Sequence, residues 1–406
     1  MRTDFVKPYT DSDEGKIAND ILRRCVHCGF CNATCPTYQL LGDELDGPRG
    51  RIYLIKQMLE GKEVSEKSQL HLDRCLICRA CETTCPSGVE YSRLLEIGQQ
   101  LVETKVPRPA WQRLKRSVFN KVLPNVQRFR WLLALGRWFK YVVPTHLESG
   151  LEVKKPRLSF PASTHAKKML LLKGCVQSQL APDINRAAAQ VADRLGITLV
   201  EEPENNTCCG AVSQHLAKTD DAAQTMRRNI DRWWPLIEEG IEAIVVTASG
   251  CAPHVKNYGY LLRSDARYGE KARRVSALAK DISEVVTSVD AGALKVLAEP
   301  QKLAFQSPCT LQHGQQLDGV VESLLQRLGY ELVPVADAHL CCGAAGTYAL
   351  LQTAISEQLL INKLTALEKH QPQMIATANI GCLKHLQRDA SVPVKHWIEL
   401  VAENNL

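Results

Sequence analysis

The chain has 406 residues, of which 45% are hydrophobic and 23% are charged, and its formal net charge is +6. These values are those of an ordinary globular protein, and the length is enough for two or three domains. The 16 cysteines lie in tight motifs. This pattern excludes the spread disulfide framework of a small secreted protein and indicates metal ligation in a reducing compartment.

Residues 1–16 contain no apolar segment of the kind found in signal peptides. No stretch approaches the roughly 18 consecutive apolar residues that would span a bilayer. We therefore expect a cytoplasmic protein, at most peripheral on the inner face of the cytoplasmic membrane.

Two cysteine runs dominate the first quarter of the chain, CVHCGFCNATCP (25–36) and CLICRACETTCP (75–86). Both follow C-x2-C-x2-C-x3-C-P, in which three thiolates bind one [4Fe-4S] cluster and the fourth reaches the other cluster. Structural zinc favours paired C-x2-C knuckles with a longer gap, which these runs lack. We therefore predict cluster 1 on Cys25, Cys28, Cys31 and Cys85, and cluster 2 on Cys75, Cys78, Cys81 and Cys35.

Helices are predicted before and between these runs, over 11–24, 52–60 and 65–74, from their caps and apolar spacing. A helical framework around the two clusters is therefore favoured over a small β-rich ferredoxin. Arg49 and Arg51 either lie near a cluster, where they offset its negative charge, or occupy a solvated helix start. The sequence leaves both interpretations open.

Residues 105–144 form a basic segment that holds three of the six tryptophans. Trp111, Leu114, Val118 and Val122 recur at helical spacing, and a second helix is predicted over 126–141. Such helices suit a plain interdomain pair, a partner surface or a membrane interface, and the interdomain pair is favoured. Residues 146–167 are predicted to be a linker.

The second half of the chain contains an internal repeat. Its landmarks are a lone cysteine, a Cys-Cys-Gly (CCG) motif and a Gly-Cys, and the two copies lie between 131 and 134 residues apart. Flanking segments agree, with IVVTASGC at 244–251 and MIATANIGC at 374–382. The landmark thiols are Cys175, Cys208, Cys209 and Cys251 in copy 1, and Cys309, Cys341, Cys342 and Cys382 in copy 2.

Each copy alternates short apolar strands with helices, which predicts a largely parallel sheet. Strands are predicted at 169–173, 198–200 and 244–247, and again at 303–305, 331–333 and 374–377. Helices are predicted at 183–195 and 227–239, at 319–328 and 355–368, and directly after each CCG motif. The landmark cysteines fall at the carboxyl ends of strands, where sites of such sheets form, so they should converge.

Four thiols per copy on three loops is the count of a metal site. An iron–sulfur or other cluster is favoured, and a vicinal disulfide, a redox thiol pair, zinc and buried structural thiols remain open alternatives. The paired CCG segments resemble the cysteine-rich domain found in heterodisulfide reductases. That pattern ends in C-x-x-C, whereas this chain has His254 and His385 at the last position. These histidines are candidate ligands, although ordinary hydrogen-bonded polar roles are favoured, and a noncubane cluster is put in doubt.

The whole architecture resembles the iron–sulfur subunits of bacterial glycolate oxidases (glycolate dehydrogenases), on the segments CVHCGFCNATCPTYQLLGDELDGPRGR (25–51), GDELDGPRGRIYLIKQ (42–57) and CCGAAGTYAL (341–350). The resemblance implies an electron-transfer subunit that takes electrons from FAD-containing partner subunits, where glycolate becomes glyoxylate, and passes them to a quinone or another acceptor. No G-x-G-x-x-G motif lies between a strand and a helix here, so FAD is expected only on the partners.

Other functions stay open. Lactate and glycerol-3-phosphate dehydrogenases have related subunits, and a free-standing thiol–disulfide reductase is a further alternative. Nucleic-acid binding is not expected, because no helix-turn-helix or zinc-finger spacing is present. The predicted fold class is α+β/α/β: an N-terminal α-helical two-cluster ferredoxin-like domain followed by two tandem α/β cysteine-rich repeats. The predicted domains are 1–104, a basic helical linker at 105–167, repeat 1 at 168–290 and repeat 2 at 300–406.

Overall fold

The computed structural model describes residues 1–138, 156–202, 208–289 and 291–405. Its contacts divide the chain into two compact units. The first unit comprises Met1–Arg116 and His339–Lys363, and the second comprises Ser117–Ala338 and Leu364–Leu406. The segment around the second CCG motif therefore groups with the N-terminal residues. We propose the domain boundaries that the sequence predicts.

The elements follow in chain order. The helices before the first sheet are α1 (Asp13–Arg24), α2 (Phe30–Ala33), α3 (Pro36–Leu41), α4 (Pro48–Leu59), α5 (Glu66–Asp73), α6 (Ala80–Thr83), α7 (Tyr91–Lys105), α8 (Ala110–Val122) and α9 (Val126–Trp138). Copy 1 contains β1 (Lys167–Leu172), α10 (Gln177–Leu180), α11 (Asp183–Arg194), β2 (Ile197–Glu201), α12 (Ala211–His215), α13 (Thr219–Glu238), β3 (Ile244–Val246), α14 (Ala252–Lys256), α15 (Tyr258–Leu261), α16 (Gly269–Leu278), β4 (Ala279–Asp281) and α17 (Ile282–Thr287). Copy 2 contains β5 (Gln301–Gln306), α18 (Cys309–Gln312), α19 (Val320–Arg327), β6 (Tyr330–Leu332), α20 (Tyr348–Leu351), α21 (Thr353–Glu368), β7 (Met374–Thr377), α22 (Ile380–Leu386), β8 (Val394–His396) and α23 (Trp397–Asn405).

Helices surround the two cysteine runs of the first unit, as predicted. The Ser12 hydroxyl accepts a hydrogen bond from the Gly15 amide and caps α1, and Ser65 caps α5 in the same way. The helix predicted from residue 52 begins earlier, because Pro48 occupies the first helical position, where its fixed φ and missing N–H are tolerated. The core of this framework is aliphatic, with Ile21, Leu22, Ile55, Leu59, Leu94 and Leu95 all fully buried.

The second unit contains two four-stranded parallel sheets of the same topology. Their strand orders are β2-β1-β3-β4 and β6-β5-β7-β8, which confirms the predicted pair of α/β repeats. The edge strands β4 and β8 were not predicted, because each has only three residues and neither forms an apolar run. The helix after the CCG motif is confirmed in copy 1, where α12 begins at Ala211. It is wrong in copy 2, where α20 begins only at Tyr348, after a turn.

The basic segment forms two helices, as predicted, and the end of the second, at 139–141, lies outside the described residues. On α9, Val126, Phe129 and Leu133 are buried at positions i, i+3 and i+7. Val126 packs against Cys175 and Cys208, so this face of α9 belongs to the core of the second unit. None of the described helices combines the length and apolarity needed to cross a bilayer.

The buried imidazole of His396 joins the two repeats within the second unit. Its Nε2 lies 3.1 Å from the Thr247 carbonyl oxygen, and its Nδ1 accepts from the Ile398 amide at 3.3 Å. Both contacts fit the neutral tautomer that carries its proton on Nε2, because a protonated Nδ1 would face the Ile398 N–H. Burial lowers the pKa of His396 to about 4.

This burial predicts an acid-sensitive repeat interface. The unfolded chain binds the proton at a pKa of about 6.5, so stability contributed by neutral His396 is complete above that pH and is lost as pH falls toward 4. The full loss is about 3 kcal/mol. We expect H396Q to flatten the pH dependence of urea unfolding between pH 6.5 and 4, relative to exposed His370→Gln. An unchanged slope in H396Q would contradict the assignment.

Candidate metal centres

The first unit contains a cavity lined by the predicted ligands of cluster 1. The thiols of Cys25, Cys28, Cys31 and Cys85 all line it, together with Cys81, Arg49 and Tyr91. Burial, and next the charges of Cys25 and Cys28, raise the pKa of Cys31 to about 11. Four thiolates at this spacing therefore need a cationic partner, which is what an iron–sulfur cluster supplies.

A second cavity is lined by the predicted ligands of cluster 2, namely Cys35, Cys75, Cys78 and Cys81, with Arg51 and Tyr91 beside them. Burial is the main cause that raises the pKa of the Cys81 thiol, and its sulfur neighbours Cys78, Cys75 and Cys35 add to it. Cys81 lines both cavities, and the other seven thiols fall into the two groups that the sequence predicted. Their ligation to iron remains a prediction.

Both cysteine loops use left-handed backbone at matching positions. His27 and Gly29 have φ values of 58° and 87°, and Ile77 and Arg79 have 53° and 64°. A β-branched residue such as Ile77 rarely adopts positive φ, so the loop stores strain there. These turns curl each loop so that three thiols line one cavity. The residues present therefore fit a thiolate-bound cluster in both places.

A buried charge network lies beside the second cavity. The Arg51 side chain is 1% exposed, and it donates through Nε to the His71 carbonyl oxygen (2.7 Å) and through both terminal nitrogens to the Thr37 hydroxyl (3.2 Å each). The Thr37 hydroxyl lies 3.3 Å from the Cys35 sulfur. Asp46 is 0% exposed, and its carboxylate lies 3.5 Å from Arg51. The solvated interpretation is therefore wrong for Arg51, which lies beside the cavity lined by the predicted ligands of cluster 2.

The same carboxylate is not a site for a free cation. Asp43, Asp46 and His71 bring their ligand atoms within 4.8 Å of one another, as a metal site would. However, the Asp46 oxygens already accept from Arg74 at 2.7 Å and lie 3.0 Å from His71 Nδ1. A metal ion there would face two guanidinium groups, so the cluster of groups is a structural network.

Arg49 lies in a different setting beside the first cavity. Its Nε and Nη2 bind the Glu44 carboxylate at 2.6 and 3.1 Å, and both side chains are more than a third exposed. The pair is neutral overall and open to solvent, which screens its field. Cys28, which lines the same cavity, is also exposed. The two cavities therefore differ in both burial and charge.

The four landmark thiols of copy 1 meet in the second unit, as predicted. Hydrogen bonds connect Cys175 to Cys208, Cys208 to Cys209, and Cys209 to Cys251. The bonds donated by its thiol neighbours hold the pKa of Cys208 well below its usual range, and the same pairing raises the pKa of Cys175. Cys208 thus lies between the Cys175 and Cys209 sulfurs, and Cys251 joins the group through Cys209. We name this group the repeat-1 thiol site.

Two side chains from outside the cysteine motifs hold the CCG loop in place. Asn229 on α13 donates through Nδ2 to the Cys208 carbonyl oxygen (2.8 Å), and Tyr258 donates its hydroxyl proton to the Cys209 carbonyl oxygen (2.5 Å). Both side chains are buried, and the sequence did not predict either role. The sequence carries no signal for either role, since even His254 and Tyr258, four residues apart, belong to separate helices, α14 and α15.

His254 is buried at 8% exposure, and its Nε2 has no hydrogen-bond partner within the described residues. A Cβ added at Gly210 would lie 3.1 Å from this nitrogen, so the imidazole faces the CCG loop. Burial lowers the pKa of His254 to about 3, which leaves the ring neutral and able to ligate a metal. Whether His254 is a ligand or an ordinary polar residue stays a prediction. His385 is also buried, and its role stays a prediction.

The landmark thiols of copy 2 are divided between the two units. Cys341 and Cys342 lie in the first unit, where the Gly343 amide donates to the Cys341 sulfur at 3.4 Å. Cys309 and Cys382 lie in the second unit, and Asn379 Nδ2 donates to the Cys382 sulfur at 3.6 Å. A shared site for these four thiols stays a prediction.

The segment with Cys341 is fixed to the second cysteine run of the first unit. Tyr348 is buried, and its hydroxyl donates to the Arg74 carbonyl oxygen at 3.0 Å, directly before Cys75. Burial raises the pKa of Tyr348, and the Cys75 and Cys341 thiols raise it further because both lie near its ring. The CCG loop of copy 2 is therefore held on the cluster 2 side of this unit.

Two family models match the chain. A 4Fe-4S dicluster domain matches residues 21–89, and a cysteine-rich domain matches twice, at residues 169–256 and 303–387. These matches cover both cavities, the repeat-1 thiol site and the second repeat.

Two curated relatives match along nearly the whole chain, and a third matches over little more than half of it. The chain is 50% identical to the "Glycolate oxidase iron-sulfur subunit" of Escherichia coli K12, over 99% of both chains. It is 28% identical to the "Probable glycolate oxidase iron-sulfur subunit" of Bacillus subtilis, over 92% of this chain and 89% of that one. It is also 26% identical to "Lactate utilization protein A" of Bacillus licheniformis, over 58% of this chain and 98% of that one.

Proposed function

Because the chain belongs to the family of glycolate oxidase iron–sulfur subunits, we propose that it carries electrons within a glycolate dehydrogenase complex. Glycolate is oxidised to glyoxylate on FAD-containing partner subunits, and the electrons leave this chain for a quinone-type acceptor. The observation that carries the proposal is the pair of cavities in the dicluster domain that the eight thiols of the two cysteine runs line. Bound [4Fe-4S] clusters would supply one-electron acceptance, which divides the two electrons of a reduced flavin into single steps.

The proposed ligands follow the two cavities. Cluster 1 binds Cys25, Cys28, Cys31 and Cys85, and cluster 2 binds Cys75, Cys78, Cys81 and Cys35. The repeat-1 thiol site binds a further metal centre through its four thiols, with the neutral imidazole of His254 as an additional ligand. Thiolate and imidazole donors together suit iron or zinc.

The test uses the complete complex under anaerobic conditions. We expect C208S to leave flavin reduction by glycolate at the wild-type rate and to slow quinone reduction at least tenfold. The control is S213A, which alters a buried side chain on the helix after the CCG motif without removing a thiol. Loss of flavin reduction in C208S would overturn the proposed order of transfer. If lactate reduces the flavin faster than glycolate does, the complex is a lactate dehydrogenase instead.

We also propose that α9 contacts an anionic membrane surface. Its outer face exposes Trp131 (72%), Leu132 and Leu135, with Arg128 and Arg130 beside them. Trp with basic neighbours is the composition of an interfacial helix, and each Arg near an anionic leaflet contributes about 1 kcal/mol. A membrane-bound quinone is the acceptor that such a location would serve.

Vesicle binding measures this contact directly. We expect the intact chain to cosediment with phosphatidylglycerol vesicles at low salt and to be released as salt rises. W131S/L135S should reduce binding at least fivefold, whereas V296S, which removes another exposed apolar side chain of the same unit, should not. Equal binding by both variants would assign the exposed face of α9 to a protein partner.

A further inference from the structure

The electrostatic field of the nearby arginine differs between the two cavities of the dicluster domain. Arg51 lines the second cavity with almost no solvent contact, and its charge interacts with the Cys75 and Cys35 thiols of that cavity. A buried charge is screened far less than an exposed one, so its field at the neighbouring sulfurs is strong. Arg49 at the first cavity is exposed and paired with Glu44, so it contributes little.

The hydrogen bonds fix the Arg51 charge in one position. The guanidinium is held by the His71 carbonyl oxygen and the Thr37 hydroxyl, and both anchors lie within four residues of a proposed cluster 2 ligand. Asp46 offsets part of the charge, but it shares its carboxylate with Arg74. Two guanidinium groups therefore face one carboxylate, and the network keeps a net positive charge beside the cavity.

A group that gains an electron becomes more negative, and a fixed positive charge lowers the free energy of that state. Net charge and hydrogen bonds to sulfur are among the factors that set cluster potentials. The Thr37 hydroxyl adds one such contact to the Cys35 sulfur at 3.3 Å. These effects act on the second cavity only, because the first has no comparable buried cation among its lining residues.

We propose that Arg51 is a positioning residue that raises the reduction potential of cluster 2 and so draws the electron to the side of the domain that holds the Cys341–Cys342 loop. Tyr348 fixes that loop beside Cys75, so the favoured electron position is the one next to the CCG motif of copy 2. Each transfer moves one electron between the two clusters and neither makes nor breaks a bond. The inference rests on the proposed function, and it concerns which cluster is the exit of the domain.

The experiment is an EPR-monitored redox titration of the isolated, cluster-loaded chain with a chemical reductant and mediators. C28S and C78S, each of a thiol that lines one cavity only, assign the signals to clusters 1 and 2. We expect R51Q to lower the reduction equilibrium constant of cluster 2 about tenfold, which is about 59 mV for a one-electron couple. Cluster 1 should change less than twofold. R51K, which keeps the charge, should recover most of the loss.

A structural role alone cannot produce opposite shifts from opposite charge changes. D46N removes the negative charge and keeps the shape of the side chain, so it should raise the potential of cluster 2. R49Q is the matched control, since it removes an exposed arginine beside the other cavity and should shift neither cluster by more than twofold. Unchanged cluster 2 potentials in R51Q and D46N overturn the proposal, as does a fall in both. If R51Q does not fold, the sign of the D46N shift decides alone.

Glycolate and partner subunits are absent from this titration. Its outcome is therefore separate from that of the proposed function, which fails if the complete complex does not couple glycolate oxidation to quinone reduction. If cluster 2 has a higher potential in the wild type than in R51Q but the complex fails the coupling assay, the role of Arg51 is retained and the substrate assignment is withdrawn.

Discussion

Replacing Cys208 by serine is expected to remove one metal centre from the chain and to leave the dicluster domain loaded. The wild-type chain, isolated without oxygen, should contain about eight iron atoms in its two cubane clusters and additional iron or zinc in the repeat-1 thiol site. Cys208 is the central sulfur of that site, with hydrogen bonds to both Cys175 and Cys209. A serine hydroxyl is a poor ligand for soft metals, so the remaining thiols should lose the centre.

The measurement is iron, zinc and acid-labile sulfide per chain, together with EPR of the dithionite-reduced protein. We expect C208S to retain about eight iron atoms and to lose all metal beyond that number. S213A should keep the full content, because it disturbs packing beside the CCG loop without removing a ligand. A wild-type chain with about eight iron atoms and no further metal would make the repeat-1 thiols a redox or structural group.

His254 gives the same centre a second test. Its orphaned, buried Nε2 beside Gly210 has no stabilising partner in the described part of the chain, and leaving such an atom unpaired costs about 1–3 kcal/mol. A bound metal would remove that cost. The observation therefore supports ligation by His254, whereas H254Q with unchanged metal content would assign the ring to packing.

The cluster cavities could be predicted from the sequence because their determinants are local. The spacing of each cysteine run fixes which three thiols share a loop, and repetition of the run identifies the fourth. The parallel repeats were predictable for a similar reason, since β1, β3 and their copies are short apolar runs at constant offset. Strands β4 and β8 were not predicted, because they are defined by their pairing with β3 and β7 rather than by their composition.

The buried charges and long-range side-chain contacts could not be predicted, because they depend on residues far apart in the chain. Tyr348 and Arg74 are 274 residues apart, and the sequence carries no signal for their hydrogen bond. His396 contacts Thr247 across 149 residues. The sequence placed Arg51 near a cluster as one of two options, but only packing shows that its charge is buried and shared with Asp46.

That burial makes Asp46 the carboxylate whose loss should destabilise the first unit most. D46A leaves the fully buried Arg51 without its counterion and removes the acceptors for Arg74 and His71. Removing one partner of a buried ion pair typically costs about 3–5 kcal/mol, because an uncompensated charge remains in the interior. With a urea m-value of about 3 kcal/mol/M, the unfolding midpoint should fall by about 1 M or more.

The matched control is E90A, which removes a carboxylate of the same unit that pairs with Arg24 and Arg93 at the surface. Exposed pairs contribute about 0–1 kcal/mol, so its midpoint should hardly move. D46A/R51M should recover part of the loss, because it replaces the stranded cation with an apolar side chain. Equal midpoints for D46A and E90A would show that solvent reaches the Asp46 network. The proposed effect of Arg51 on cluster 2 would then weaken as well, since both depend on the same exclusion of water.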